Sequence, residues 1–222
     1  MTATLQACPD CGAGAPLDAH FCPQCTKILP LQRQTDYFSF LGLPRRLNID
    51  PAALEERFRA LSRQFHPDYF YNATPAERRA SLERSSYLND AYRTLRQPAA
   101  RIEYVLKLEG LAPKNPEEAS RQVPPALLEE VFALNEELDE IRDLRGNGSP
   151  ADAWRGRLER ARQPIEAKRV DHEVQLQDLS ARWAASASES DRRQVLEALR
   201  DRFLERNYIA NLLAGIDREL NS

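Results

Sequence analysis

PAALEERFRALSRQFHPDYFYNATPAERR, residues 51–79, holds the body of one helix, the start of another and the corner between them. Asp50 stands before Pro51, an acceptor side chain followed by proline at the first helical position, which marks a helix start. Leu54, Phe58, Leu61 and Phe65 recur at spacings of four, three and four. At ~100° per residue these side chains fall in one narrow stripe, the core face. Arg59 and Arg63 project to the opposite side, and Arg57 flanks the stripe. Pro67 ends the helix, because it lacks an N–H and biases His66 away from helical dihedrals. Thr74, Pro75 and Glu77 then form a capping box with proline at the first position. Leu82, Leu88, Ala91, Tyr92 and Leu95 give the new helix its apolar face. The two helices predict an antiparallel hairpin with His66, Pro67 and Asp68 in its loop.

A histidine two residues from an aspartate invites a reading as acid–base chemistry. Such a role needs a nucleophile or substrate pocket within hydrogen-bond reach and an orienting partner. The chain has no Gly-x-Ser-x-Gly, no phosphate-cradling loop and only two other histidines, His20 and His172. A helical hairpin tip is convex, a poor place for a pocket. The corner reads as a recognition surface, and the chain as a protein that is not an enzyme.

Outward from the hairpin, the composition is that of a soluble folded chain. Hydrophobic residues make up 42% and charged residues 29%, with glycine scarce at 8 of 222, so helix is favoured over sheet. A formal net charge of -3 gives no global reason to expect a nucleic-acid binder. No apolar stretch approaches the ~20 residues that cross a bilayer. The start, MTATLQACPDCG, resembles neither a secretory signal nor a transit peptide. The expectation is a cytoplasmic protein with no membrane partner.

All four cysteines lie in the first thirty residues, as Cys8-x2-Cys11 and Cys22-x2-Cys25, in the near-identical settings CPDCG and CPQCT. Two such knuckles aim four sulfurs at one point, a donor set that suits tetrahedral structural zinc. Two disulfides would use the same residues, but a reducing compartment disfavours them. Iron in a rubredoxin-like site would use the same ligands and stays open. The metal would supply folding energy to a segment too short for a core, and four protein ligands leave no open catalytic position. His20 reads as a loop residue.

A Pro-rich polar stretch, LAPKNPEEASRQVPP from Leu111 to Pro125, separates the hairpin region from a second charge-rich helical region. Within the latter, GNGSP at 146–150 reads as a turn between antiparallel helices. Leu127, Val131, Leu134, Leu138 and Ile141 form a core stripe, and Leu128 and Phe132 sit about 100° around from it. On the last helix Val195, Leu199, Phe203, Ile209, Leu213, Ile216 and Leu220 face the core, while Leu204 and Tyr208 point elsewhere. Such off-stripe pairs either pack on the third helix or form a patch for a partner. Trp154 and Trp183 read as packing residues, Pro164 as a kink in the middle helix, and His172 as solvated among its charged neighbours.

The basic helix ending in HPD, with LNDAYRTL on the helix after it, resembles a J-domain. DYFSFLGLP, LNDAYRTLRQPAARIEYVLKLEG and NEELDEI resemble, more narrowly, the HscB-type co-chaperones of iron–sulfur cluster assembly. The resemblance spans nearly the whole chain and is weakest beyond about residue 145. It implies an all-α fold: a zinc knuckle module at 1–32, a J-domain at 33–112 and a three-helix scaffold-binding bundle at 113–222. It further implies that His66, Pro67, Asp68, Arg57, Arg59 and Arg63 engage an HscA/DnaK-type chaperone and stimulate its ATPase. Leu128, Phe132, Leu204 and Tyr208 would bind an IscU-type scaffold, and some members carry a double-CxxC zinc module matching Cys8, Cys11, Cys22 and Cys25. Tyr69 stands where the family usually has Lys, and Glu129 where a further apolar residue is expected. A general J-protein for another client, or a zinc-ribbon nucleic-acid binder, are the rival readings. The second is opposed by residues 1–30, whose single basic residue is Lys27. Whether the zinc module stabilises the chain, makes it a homodimer or meets a further partner stays open.

Overall fold

The computed structural model describes residues 5–32, 35–112 and 123–221. Most of the Leu111–Pro125 stretch read as a linker therefore lies outside the described residues. The chain divides into two compact units, Met1–Tyr104 and Val105–Ser222. The cysteine segment is packed inside the first of them.

In the first unit, strands β1 (Leu5–Ala7) and β2 (Gly14–Pro16) pair antiparallel, with Gln6 opposite Ala15. Helix α1 (Tyr37–Phe40) starts at Asp36, whose carboxylate accepts the Ser39 N–H at 2.9 Å. Helix α2 (Pro51–Phe65) starts at Asp50, which accepts from the Ala52 N–H at 3.0 Å. A 3₁₀ turn over Pro67–Phe70 leads to α3 (Pro75–Arg96), opened by the Thr74–Glu77 capping box. Helix α4 (Pro98–Leu108) follows, its last residues already belonging to the second unit, and the buried Arg101 donates to the Leu95 carbonyl at 2.7 Å to satisfy the end of α3.

The predicted α2 stripe is the core face: Leu54, Leu61 and Phe65 are buried. Phe58 is half-buried, because it stacks at 4.2 Å between centroids on Tyr92 at the rim of the hairpin. Leu82, expected on the inner face of α3, is 58% exposed. The positions that face inward in that turn are Ser81 and Arg84, both at most 2% exposed. Polar residues took the inner positions because they have buried acceptors to meet there.

The second unit is an antiparallel run of three helices, α5 (Leu128–Gly146), α6 (Ala151–Ala185) and α7 (Glu189–Asn221). Leu127, Val131, Leu134 and Ile141 meet Trp154, Leu158 and Ile165 of α6 and Ile209, Leu213 and Ile216 of α7 in one core. Trp183, Val195, Leu199 and Phe203 are buried toward the other end. His172, read from sequence as solvated, is 3% exposed. Its Nε2 lies 2.6 Å from Glu205 Oε2 and its Nδ1 3.0 Å from the Lys168 carbonyl. A charged partner on the neighbouring helix, invisible along the sequence of α6 itself, is what admits it to the interior. Among the described residues no helix is long and apolar enough to cross a membrane.

Candidate functional site

The His-Pro-Asp corner stands at the exposed end of α2. His66 terminates α2 and caps the 3₁₀ turn, its Nδ1 accepting from the Asp68 N–H at 3.4 Å. The Asp68 carboxylate is 86% exposed and lies 3.5 Å from His66 Nδ1. His66 is exposed as well, and Pro67 fixes the chain direction between the two groups. Arg63 lies in the last turn of α2 and Arg59 one turn earlier, on the exposed face, where Arg59 pairs with Glu55 at 2.8 Å. Arg57 is exposed too but sits around the helix from that pair. Tyr69 and Tyr71 beside the corner are 73% and 79% exposed.

The corner is held from behind. The carbonyl of Phe65 accepts the hydroxyls of Ser81 at 2.7 Å and Ser85 at 2.8 Å. These serines were not singled out in the sequence, although their spacing of four puts both on one face of α3.

The cysteines converge as the spacing predicts. All four sulfurs lie within 4.8 Å of one another, with Cys8–Cys25 and Cys11–Cys22 each at 3.6 Å. A tetrahedron of thiolates around zinc at about 2.3 Å has edges of about 3.8 Å, so the cluster fits the ion closely. The two knuckles are built alike. Cys8 N–H donates to Ala13 and Gly12 N–H to Cys8, while Cys22 N–H donates to Lys27 and Thr26 N–H to Cys22, all at 2.8–2.9 Å. The residue after each second cysteine is left-handed: Gly12 at φ 73° and Thr26 at φ 59°. This turn exposes amides to sulfur. The Cys25 N–H, then the Gln24 N–H, draw the Cys22 thiol down to about 6. Against the Lys27 amide, the largest single influence, burial and the neighbouring sulfurs push Cys25 up to about 12. Four thiolates so close together repel, and a divalent cation removes that conflict. The donor set suits zinc or iron and leaves no ligand position open.

A residue that sequence reasoning missed joins this module to α3. Arg84 donates from Nε to the Leu29 carbonyl at 2.7 Å and from Nη2 to Pro30 at 3.2 Å and Ala19 at 3.4 Å. Its Nη1 meets His20 Nδ1 at 2.7 Å, which requires that nitrogen to be the acceptor and the imidazole to be neutral. Burial, then the Arg84 charge, hold His20 down at about 4. The Arg84 guanidinium also lies 5.6 Å from the Phe65 ring centre and 5.9 Å from that of Phe40. His20, expected to be a loop residue, sits edge-on to the same two rings at 5.0 and 4.9 Å. A helical arginine reads as solvated unless its acceptors are known, and these lie more than fifty residues away in sequence.

In the bundle, Leu128 is 41% and Phe132 65% exposed. Leu204 and Tyr208 are half-buried, and Tyr208 packs against the bundle core. Lys168 pairs with Glu130 of α5 at 2.9 Å, and His172, one turn on, with Glu205 of α7 at 2.6 Å. One turn of α6 therefore touches α5 beside Leu128 and Phe132 and α7 beside Leu204 and Tyr208, so the two pairs lie at the same height. Glu129 is exposed on the same stretch.

No protein-family model matches the chain. Solved structures that resemble it include two HscB proteins. The human co-chaperone protein HscB is 25% identical, with a TM-score of 0.70 over 96% of this chain and 98% of that one. Chaperone HscB from Vibrio cholerae is 28% identical, with a TM-score of 0.57 over 84% of this chain and 98% of that one.

Proposed function

We propose that this chain, an HscB-type J-protein in architecture, is a co-chaperone that brings an iron–sulfur scaffold protein of the IscU type to an HscA/DnaK-type chaperone and stimulates that chaperone's ATPase. The single observation that carries the reading is the exposed His66-Pro67-Asp68 corner at the end of a helix whose outer face presents Arg59 and Arg63. Such a surface complements an acidic patch on a partner and steers its approach. Arg57 contributes charge from the flank. Hydrolysis takes place in the chaperone; the His-Pro-Asp corner alters its rate by contact and donates no catalytic group.

The second unit supplies the other hand. Leu128 and Phe132, with Leu204 and Tyr208 at the same height, form the scaffold-docking patch, with exposed apolar residues as its anchors. Holding chaperone and scaffold on one chain raises their mutual effective concentration, which is the mechanism proposed here. Zinc bound by Cys8, Cys11, Cys22 and Cys25 is structural in this scheme. The rival reading as a nucleic-acid binder lacks a cluster of positive charge on the cysteine module, where Lys27 is paired with Asp10 at 2.9 Å.

The deciding experiment is a steady-state ATPase assay of the purified chaperone with this protein, with and without scaffold. Wild type is expected to stimulate hydrolysis, more so with scaffold, while His66→Gln loses stimulation and keeps its circular dichroism and scaffold affinity. Equal stimulation by His66→Gln overturns the reading.

A further inference from the structure

Arg84 is a cation at 2% exposure whose hydrogen bonds, among the described residues, reach no carboxylate. Its hydrogen bonds end on three carbonyls and one imidazole nitrogen, all in the cysteine module: Ala19 and His20 just before Cys22, Leu29 and Pro30 just after Cys25. A buried cation is tolerated only while such acceptors surround it, and stranding it is strongly destabilising. Within the module these acceptors are held by short local structure: the Leu29 N–H donates to the His20 carbonyl at 3.0 Å, and Phe21 bridges to Ile28. The module's own cluster of buried residues is Cys8, Ala15, Cys22 and Leu29, two of which are the proposed metal ligands, beside a sheet of two three-residue strands. A segment of that size takes its fold from the metal.

The far side of Arg84 is Phe65, the last residue of α2 and the one immediately before His66. Its ring is fully buried against Arg84, His20 and, at 6.0 Å, Phe21. Its carbonyl is fixed by Ser81 and Ser85, on the same face of α3 as Arg84. The ring of the residue that roots the His-Pro-Asp corner is thus packed by His20 and Phe21 of the cysteine module together with Arg84 and, at 5.8 Å, Phe40 of α1, while its carbonyl is held by α3.

We infer that Arg84 is a positioning residue through which metal loading of the cysteine module sets the geometry of the His-Pro-Asp corner. The module is a metal-dependent wall of the α2–α3 hairpin. The functional consequence rests on the co-chaperone reading above; the linkage itself does not. Linkage is reciprocal, so whatever fixes the corner in its metal-loaded geometry raises metal affinity by the same factor, and a chain without Arg84 loses the contact that carries the coupling.

The test uses the full chain loaded with zinc. Zinc affinity is measured by competition with a chromophoric chelator, thermal unfolding by calorimetry, and the corner by the amide resonances of His66, Asp68 and Tyr69. Stripping zinc from wild type should lower the unfolding temperature of the first unit and shift those amides. Arg84→Met should bind zinc about tenfold more weakly, within the usual range of coupling between sites. Arg84→Lys, which keeps the charge but reaches fewer acceptors, should fall between. In Arg84→Met, zinc removal should move the corner amides less than in wild type. Unchanged zinc affinity in a folded Arg84→Met overturns the inference, as do corner amides that ignore zinc removal in wild type. Should Arg84→Met not fold, Arg84→Gln takes its place with the same expected and overturning results. Loss of ATPase stimulation in His66→Gln bears on the co-chaperone reading and on none of these measurements.

Discussion

The hydroxyl of Ser81 donates to the main-chain carbonyl of Phe65 at 2.7 Å, across sixteen residues of sequence. That carbonyl would meet the N–H of Tyr69 had α2 continued, but Tyr69 donates to the His66 carbonyl instead. The orphaned acceptor is buried, so the serines replace the missing turn. Ser81→Ala combined with Ser85→Ala should cost about 1–3 kcal/mol, the penalty of leaving a buried acceptor unmatched. Denaturant titration measures the loss, and faster amide exchange at residues 66–70 should accompany it. A double variant as stable as wild type would place the restraint elsewhere.

Thr26 stands in the left-handed region at φ 59°, where its counterpart in the other knuckle is Gly12 at φ 73°. A β-branched residue there carries about 1–2 kcal/mol of strain, and glycine gives back part of that gain through its unfolded-state entropy. Thr26→Gly should therefore tighten zinc binding a few-fold in chelator competition. Gly12→Thr should weaken it, and because nothing lies within 4 Å of a Cβ built at Gly12, backbone strain alone accounts for the effect. Equal and opposite changes would establish the two knuckles as energetically equivalent.

Leu128 and Phe132 are exposed, so replacing both by Ala should change bundle stability by no more than about 0.5 kcal/mol. On the scaffold-docking proposal the same change weakens scaffold binding at least about tenfold, in line with the loss of interface anchors. Calorimetric titration reads the affinity and thermal unfolding the stability. Unaltered affinity would move the docking surface off this face.

Asp36 caps α1 and also accepts Arg45 at 2.6 Å. Against burial, the largest influence, the Ser39 amide and Arg45 hold its carboxyl below the usual carboxylate range. A depressed folded-state value means that its stabilisation is complete above the unfolded carboxylate value and is lost as pH falls through the folded one. Asp36→Asn keeps a capping oxygen and removes the charge. Its stability deficit relative to wild type should thus be constant from pH 5 to 7 and shrink below about pH 4. Urea midpoints at each pH test the convergence.

Much of this was legible along the chain. Asp50, Thr74 and Glu77 cap where their local chemistry says they should, and the apolar spacing of α2 and α5 located their inner faces. The cysteine cluster needed only its spacing. What escaped were polar residues whose partners are distant in sequence. Arg84 and His172 look solvated because periodicity weighs side chains by polarity and is blind to acceptors on another element. Leu82 looks buried for the same reason. The inner position in its turn went to Ser81, which has a carbonyl to satisfy, and leucine was left outside. At Phe132, exposure followed from the helical angle alone, whereas the half-burial of Tyr208 depends on how the bundle closes.

The main-chain acceptors of Arg84 carry a consequence for how such chains vary. Carbonyls belong to every amino acid, so the contact itself makes no demand on the side chains at positions 19, 29 and 30 and leaves no trace in their identities. Arg84 has no such latitude. A chain descended from one like this that gave up its four cysteines would inherit a guanidinium with its receiving segment undone. The cysteines and the arginine on α3 should consequently be gained and lost as a set, and aligned sequences would reveal the set as five columns that change together.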